Sequence, residues 1–166
     1  MAGAVRRLRT DEAELLRGLR LRALAESPRA FGATLADEAD LPPDEWRARA
    51  ALAAAGEQQV VFVALDGDRP VGMAGGRWFE RAESTVALWG MWVDPSARGT
   101  GVADALVTAV DDWASAAGAR RLRVGVVADR AAAIRFYERL GFRREGELQR
   151  LRRDPDQLYF EMYRAL

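Results

Sequence analysis

The sequence predicts a mixed α/β fold, a mostly antiparallel sheet with one central parallel pair and about four flanking helices. Three observations carry this. Strand-like runs follow one another between Gln59 and Val93 with only short turns between them. A long amphipathic stretch then separates the run ending at Val93 from another at Arg121–Val127, and a helical crossover makes those two strands parallel. Two further runs around a polar turn close the chain.

Taken in order, Ala4 to Arg9 alternates weakly and reads as an edge strand. Thr10-Asp11-Glu12 reads as a helix start, a capping hydroxyl with acids in the first turn. Leu15, Leu16, Leu19 and Ala23 form its apolar stripe, and Ser27-Pro28 ends it. Phe31 to Asp40 reads as irregular. Pro42-Pro43 introduces a helix from Asp44 to Ala55, closed by Gly56. Gln59–Leu65 and Pro70–Trp78 are strands joined at Asp66-Gly67, and Arg81–Ser84 turns into a third, Thr85–Val93. The next helix begins near Val102, with Leu106, Val107, Val110 and Trp113 on one face, and Gly118 caps it. After the strand Arg121–Val127, Asp129 starts a helix with Ala133, Phe136, Tyr137 and Leu140 inward, and Gly141 ends it. Phe142–Arg152 and Leu158–Arg164 form the last hairpin around the turn Arg153–Gln157. Residues 1–166 read as one domain without repeat or linker.

Composition narrows the chemistry. The chain has 25 basic and 25 acidic residues, no cysteine and no histidine, and every basic residue is arginine. Disulfides, thiol nucleophiles, Cys-ligated metals and Ser-His-Asp catalysis are thereby excluded, as are a Walker lysine and a Schiff base. An acid or base must be Asp, Glu, Tyr, water or the substrate. Zero net charge and dispersed arginines argue against nucleic acid as a partner. No run approaches bilayer length, so no membrane partner and a cytoplasmic location are expected.

The informative stretch is Leu88 to Asp104. An apolar strand stops at Asp94-Pro95, and Arg98-Gly99-Thr100-Gly101 leads into a helix. A helix N-terminus offers unpaired N–H groups and a favourable dipole to an anion. Gly99 and Gly101 let the backbone approach it, and Arg98 can fork onto phosphate oxygens. The pattern predicts a pyrophosphate cradle. A dinucleotide-binding turn would need a third glycine where Asp104 stands.

Arg98-Gly99-Thr100-Gly101-Val102-Ala103 resembles the Arg/Gln-x-x-Gly-x-Gly/Ala motif of the GNAT superfamily of acyl-CoA N-acyltransferases. Ala133 to Phe142, with Phe136-Tyr137 and Gly141-Phe142, resembles its second motif, and the element order matches over nearly the whole chain. The family's asparagine in that second motif aligns with Arg130, which cannot accept a hydrogen bond; Asp129 beside it is the alternative acceptor.

The resemblance implies an enzyme that moves the acetyl group of acetyl-CoA to a primary amine by direct attack in a ternary complex, without a metal. It implies that Leu88–Val93 splays from Arg121–Val127 and that the pantetheine arm enters the gap. Met91, Trp92 and Val93 would then hold it, one of their N–H groups facing the thioester oxygen, with Arg98 to Ala103 on the pyrophosphate and Asp129 or Arg130 on the arm. Strict alternation puts Trp89, Met91 and Val93 on one face and Leu88, Gly90 and Trp92 on the other. Tyr137 is the candidate general acid, since a phenol can protonate a departing thiolate. Glu80 and Glu83, flanking a turn, are candidate bases. Phe31, Glu38 and Trp92 are candidate acceptor contacts, and the Arg153–Gln157 turn borders that site. The acids between Phe31 and Glu45 are compatible with a cationic acceptor, whether a small molecule or a protein amine. A homodimer is left open. The rival reading is a non-catalytic acyl-CoA-binding domain on the same fold.

Overall fold

The computed structural model describes residues 4–166. Seven strands form one sheet in the order β1-β2-β3-β4-β5-β7-β6. They are β1 (Ala4–Arg7), β2 (Gln59–Asp66), β3 (Arg69–Glu80), β4 (Thr85–Val93), β5 (Arg121–Val127), β6 (Arg143–Arg150) and β7 (Leu158–Ala165). Among the described residues, only β4 and β5 pair in parallel. The described residues form five helices: α1 (Ala13–Glu26), α2 (Leu35–Ala39), α3 (Pro43–Ala55), α4 (Val102–Ala116) and α5 (Ala131–Arg139).

The sheet divides the core in two. On one face, Leu106, Val107 and Val110 of α4 and Tyr137 of α5 pack on Val60, Val86, Leu122 and Val124. On the other, Leu16 and Leu19 of α1 and Trp46 of α3 cover Val61, Val63, Met73 and Trp92. Strands covered on both faces read as near-continuous apolar runs, as β2, β3 and β4 do.

Three expectations are corrected. Thr10 does not cap α1: its N-cap is Glu12, with no side-chain capping bond. Phe31–Asp40 contains α2, opened by a reciprocal capping box between Thr34 and Asp37. Asp129 precedes α5 without capping it, for the N-cap is Arg130.

The fourth correction shapes the site. Met73 pairs with Trp92 and Gly75 with Trp89, so β4 spends one residue more than β3 over that interval. This is a β-bulge, and Gly90 takes the left-handed φ of 59° it requires. The extra residue resets the side-chain phase. Trp89 and Trp92 both face α1 and α3, while Leu88, Met91 and Val93 face α4 and α5. Strict alternation therefore fails at Gly90.

Candidate active site

The bulge bends β4 away from β5. Their register runs from Thr85↔Arg121 to Leu88↔Val124 and stops there. β5 continues in register with β7 as far as Val127↔Tyr159. The last residues of β4 thus have a strand partner on one side only, and a wedge opens towards the carboxyl ends of β4 and β5. Asp94 N–H bonds Val71 O of β3 at 2.8 Å. By alternation Met91 and Val93 turn their backbone groups into the wedge. The cleft here has a volume of about 320 Å³ and is bounded by Met91, Val93, Gly125, Val127, Phe136 and Tyr137.

The wedge adjoins a second hollow of about 520 Å³ bordered by Gly99, Gly101, Asp104 and Arg139. Gly101, the N-cap of α4, has φ 88° and Gly99 has φ 76°. A Cβ at either would meet nothing within 4 Å, so the requirement is conformational and the space outside the turn is open. The first helical bond is Ala105 N–H to Gly101 O at 3.0 Å. The amides from Gly99 to Ala103 are left without a protein acceptor among the described residues. Thr100 spends its hydroxyl on Ala97 O at 2.6 Å. Arg98 donates from Nε to Val93 O at 3.0 Å and from one terminal nitrogen to Glu26 at 2.8 Å, which fixes its guanidinium across the end of β4. Asp104 would repel an anion here, but Arg139 of α5 pairs with both its oxygens at 2.8 and 3.1 Å.

Tyr137 lies in the wedge wall, edge-on to Phe136 and Phe142 with ring centroids 5.1 and 5.5 Å away. Its hydroxyl has no partner among the described residues and is not sealed into the core, so it borders the cleft. Burial pushes the phenol above its ordinary value of 10.0, and the group stays protonated at neutral pH.

A wedge between parallel strands adjoins unpaired amides at a helix start, so the two sequence motifs border two hollows that share the walls Val93, Arg98, Ala103 and Phe136. The family model described as "Acetyltransferase (GNAT) family" matches residues 21–142. The chain belongs to the GNAT acetyltransferase family. A mycothiol acetyltransferase of Mycobacterium avium is 34% identical over 146 residues, 80% of this chain and 43% of that relative. The chain thus spans less than half the length of that relative. An N-acetyltransferase from Staphylococcus aureus Mu50 superposes with a TM-score of 0.81 at 19% identity, covering 99% of both chains. A GNAT phosphinothricin acetyltransferase from Sinorhizobium meliloti, in complex with AcCoA, gives a TM-score of 0.80 at 19% identity over 100% of this chain and 89% of that one. At these identities the structures speak for the GNAT fold alone.

Within the GNAT frame the expected residues separate. Met91, Trp92, Val93, Arg98, Ala103, Arg130, Phe31 and Tyr137 all line the cleft. Asp129 does not; it lies exposed beside it and pairs with Arg29 at 3.3 Å, so Arg130 alone represents that position in the wall. Glu80 and Glu83 are not brought to the cleft. They flank the turn at the Thr85 end of β4, roughly 25 Å from Val93 at about 3.3 Å per residue, and Glu83 pairs with Arg121 at 3.1 Å. Glu38 is buried on the other face of the sheet, bound by Arg20 at 3.1 Å and Arg49 at 3.4 Å. The Arg153–Gln157 turn does reach the cleft's border: Arg153 donates to Phe31 O at 2.9 Å and Gln157 to Arg29 O at 3.2 Å.

Sequence reading missed Glu26. Its carboxylate accepts from Trp92 Nε1 at 2.9 Å, from Arg98 at 2.8 Å and from the Ser27 hydroxyl. Burial opposes its ionisation, but these bonds outweigh it and its pKa is lowered. Arg139 was missed too. Its partner Asp104 lies in another helix, and no local pattern relates them.

Proposed function

We propose that this chain is an acetyl-CoA-dependent N-acetyltransferase that acts on a primary amine by direct attack. The observation that carries this reading is the wedge at the bulge of β4, which shares the walls Val93, Arg98, Ala103 and Phe136 with the hollow at the unpaired amides of Gly99 to Ala103. A diphosphate fits those amides by charge and by hydrogen bonding, and the open space around Gly99 and Gly101 admits it.

Bound acetyl-CoA would supply the acetyl group as a thioester: an N–C bond forms, the C–S bond breaks, the thiolate takes the Tyr137 proton, and the proton then lost by the acylated nitrogen passes through water to restore the phenol. Met91 and Val93 offer backbone groups to the pantetheine amides, as an added strand would use them. The N–H of Val93, turned into the wedge, would stabilise charge developing on the thioester oxygen. Tyr137 holds a proton on its hydroxyl for the sulfur. Its raised pKa makes it a weaker acid than a free phenol but keeps the donor charged with its proton throughout the working range. The amine sheds its own proton to water before attack, since no carboxylate of the cleft wall is placed to receive it.

Calorimetry with acetyl-CoA, then CoA release measured across an amine library, tests this. Micromolar binding lost in Gly101→Glu, which puts a carboxylate at the cradle, together with turnover of at least one amine, is the expected result. Binding undiminished in Gly101→Glu would place the pyrophosphate elsewhere. Binding without turnover of any amine would favour the non-catalytic alternative.

A further inference from the structure

A second cavity, of about 370 Å³, lies on the other face of the sheet beneath α1 and α3. Trp46 and Trp89 contribute aromatic walls, and Arg20, Arg49, Arg77 and Glu38 its charged groups. Glu38 is already held by Arg20 through two bonds of 3.1 Å and by Arg49 at 3.4 Å. Arg49 also binds Glu45 at 3.0 Å. Those pairs leave one positive charge in excess. Arg77, exposed at the mouth on β3, carries it, with no carboxylate in salt-bridge range among the described residues. The indole N–H groups of Trp46 and Trp89 are sealed from the cavity and have no acceptor among the described residues, that of Trp89 lying against Gly75. What the cavity offers a ligand is its arginines, and it is net cationic.

Its position ties it to the cleft. Trp89 borders this cavity and Met91 borders the wedge, so the two flank the bulge at Gly90. Arg20 stands between them: its terminal nitrogen would lie 3.7 Å from a Cβ at Gly90, and its guanidinium sits over Phe31, a cleft residue, at 5.2 Å.

We propose that this cavity binds the carboxylate of the acceptor, so that the amine acetylated belongs to a small amino acid rather than to a polyamine or a lysine side chain. The proposal rests on the acetyl-transfer reading. Arg77 and Arg20 present planar guanidinium groups, which match a carboxylate, and a cationic amine without an anionic group meets repulsion at the mouth. Of the acids between Phe31 and Glu45, Glu38 and Glu45 are spent on arginines.

Two measurements test it. Wild-type protein, Arg77→Gln and Arg77→Lys are assayed for CoA release with the standard amino acids, their amides and spermidine. Their binding of the corresponding N-acetyl amino acids is measured separately by calorimetry. Amino acids should be used in preference to their amides and to spermidine. Arg77→Gln should raise KM for the amino acid about 10- to 100-fold, the factor for a lost charge-assisted bond, with kcat and KM for acetyl-CoA unchanged and partial recovery in Arg77→Lys. Affinity for the N-acetyl amino acid should fall by the same factor. Preference for amides or spermidine would overturn the proposal while leaving acetyl transfer standing. Should no amine release CoA, calorimetry alone decides: equal affinity of wild type and Arg77→Gln for every N-acetyl amino acid, or none in either, overturns it.

Discussion

Glu26→Ala removes the carboxylate that joins the end of α1 to the wall of the cleft. Three bonds are lost, and they are unequal. Arg98 is half exposed, so its pair contributes about 0–1 kcal/mol. The Ser27 hydroxyl can turn to another acceptor. Trp92 is 5% exposed, and its indole N–H loses a charge-assisted bond and is left facing no acceptor. That loss sets the scale, about 1.5–3 kcal/mol. For a chain of this size about 2–4 °C of melting temperature accompanies each kcal/mol, so Tm should fall by about 3–12 °C. The assay is urea unfolding of Glu26→Ala, Trp92→Phe and the double variant. Once the indole N–H is gone, Glu26→Ala should cost only the remaining surface pair, and the cycle should show a coupling of about 1–2 kcal/mol. Additive costs, or a Glu26→Ala variant within about 0.5 kcal/mol of wild type, would refute the claim that this carboxylate anchors β4 to α1.

Tyr137→Phe should lower kcat about 10²- to 10⁴-fold, the range for a positioned general acid, with acetyl-CoA affinity and Tm nearly unchanged because the hydroxyl binds no protein group; an unaltered kcat would remove the role. Stability should also fall in acid. The pKa of Glu12 is lowered to about 2 from 4.5, first by its bond with Arg6, and that of Asp94 to about 2 from 3.8, first by the Ser96 hydroxyl and then by the Ser96 amide and Arg22. Both folded-state values lie below the unfolded ones, so the unfolded chain binds more protons in that interval and stability rises with pH. The contribution is complete above about pH 4.5 and lost as pH falls towards 2. Melting curves from pH 6 to pH 2.5 should show this decline, and Glu12→Gln and Asp94→Asn should flatten it.

Much of the fold was legible because local chemistry decides it. The Gly56 stop, the Arg81–Ser84 turn, the limits of β4 and β5 and the start of α4 all depend on neighbours in sequence: a left-handed glycine, a polar tetrapeptide, an apolar run, a glycine turn. The short α2 was equally local, and its Thr34–Asp37 capping box was there to be seen. The bulge was not. A glycine inside a strand signals a bulge or a close approach, and only the β3 partner register shows which. Counting side chains by alternation therefore grouped Trp89 with Met91 and Val93, and Leu88 with Trp92, whereas the bulge puts Leu88 with Met91 and Val93 and Trp89 with Trp92.

By itself the sequence determined the chemistry allowed, a pyrophosphate-type turn ahead of a helix and a chain without histidine, cysteine or lysine, because residue types and a short glycine spacing carry those properties wherever they fold. The tertiary structure decided which charges are free. Arginines and carboxylates alternate along this chain with nothing to pair them, and pairing depends on distance in space. Folding joined Glu26 to Arg98, Asp104 to Arg139 and Glu38 to Arg20, and left Arg77 unmatched beside a cavity. Coulomb energy falls with separation and is screened by water, so such choices are settled only when the strands and helices meet.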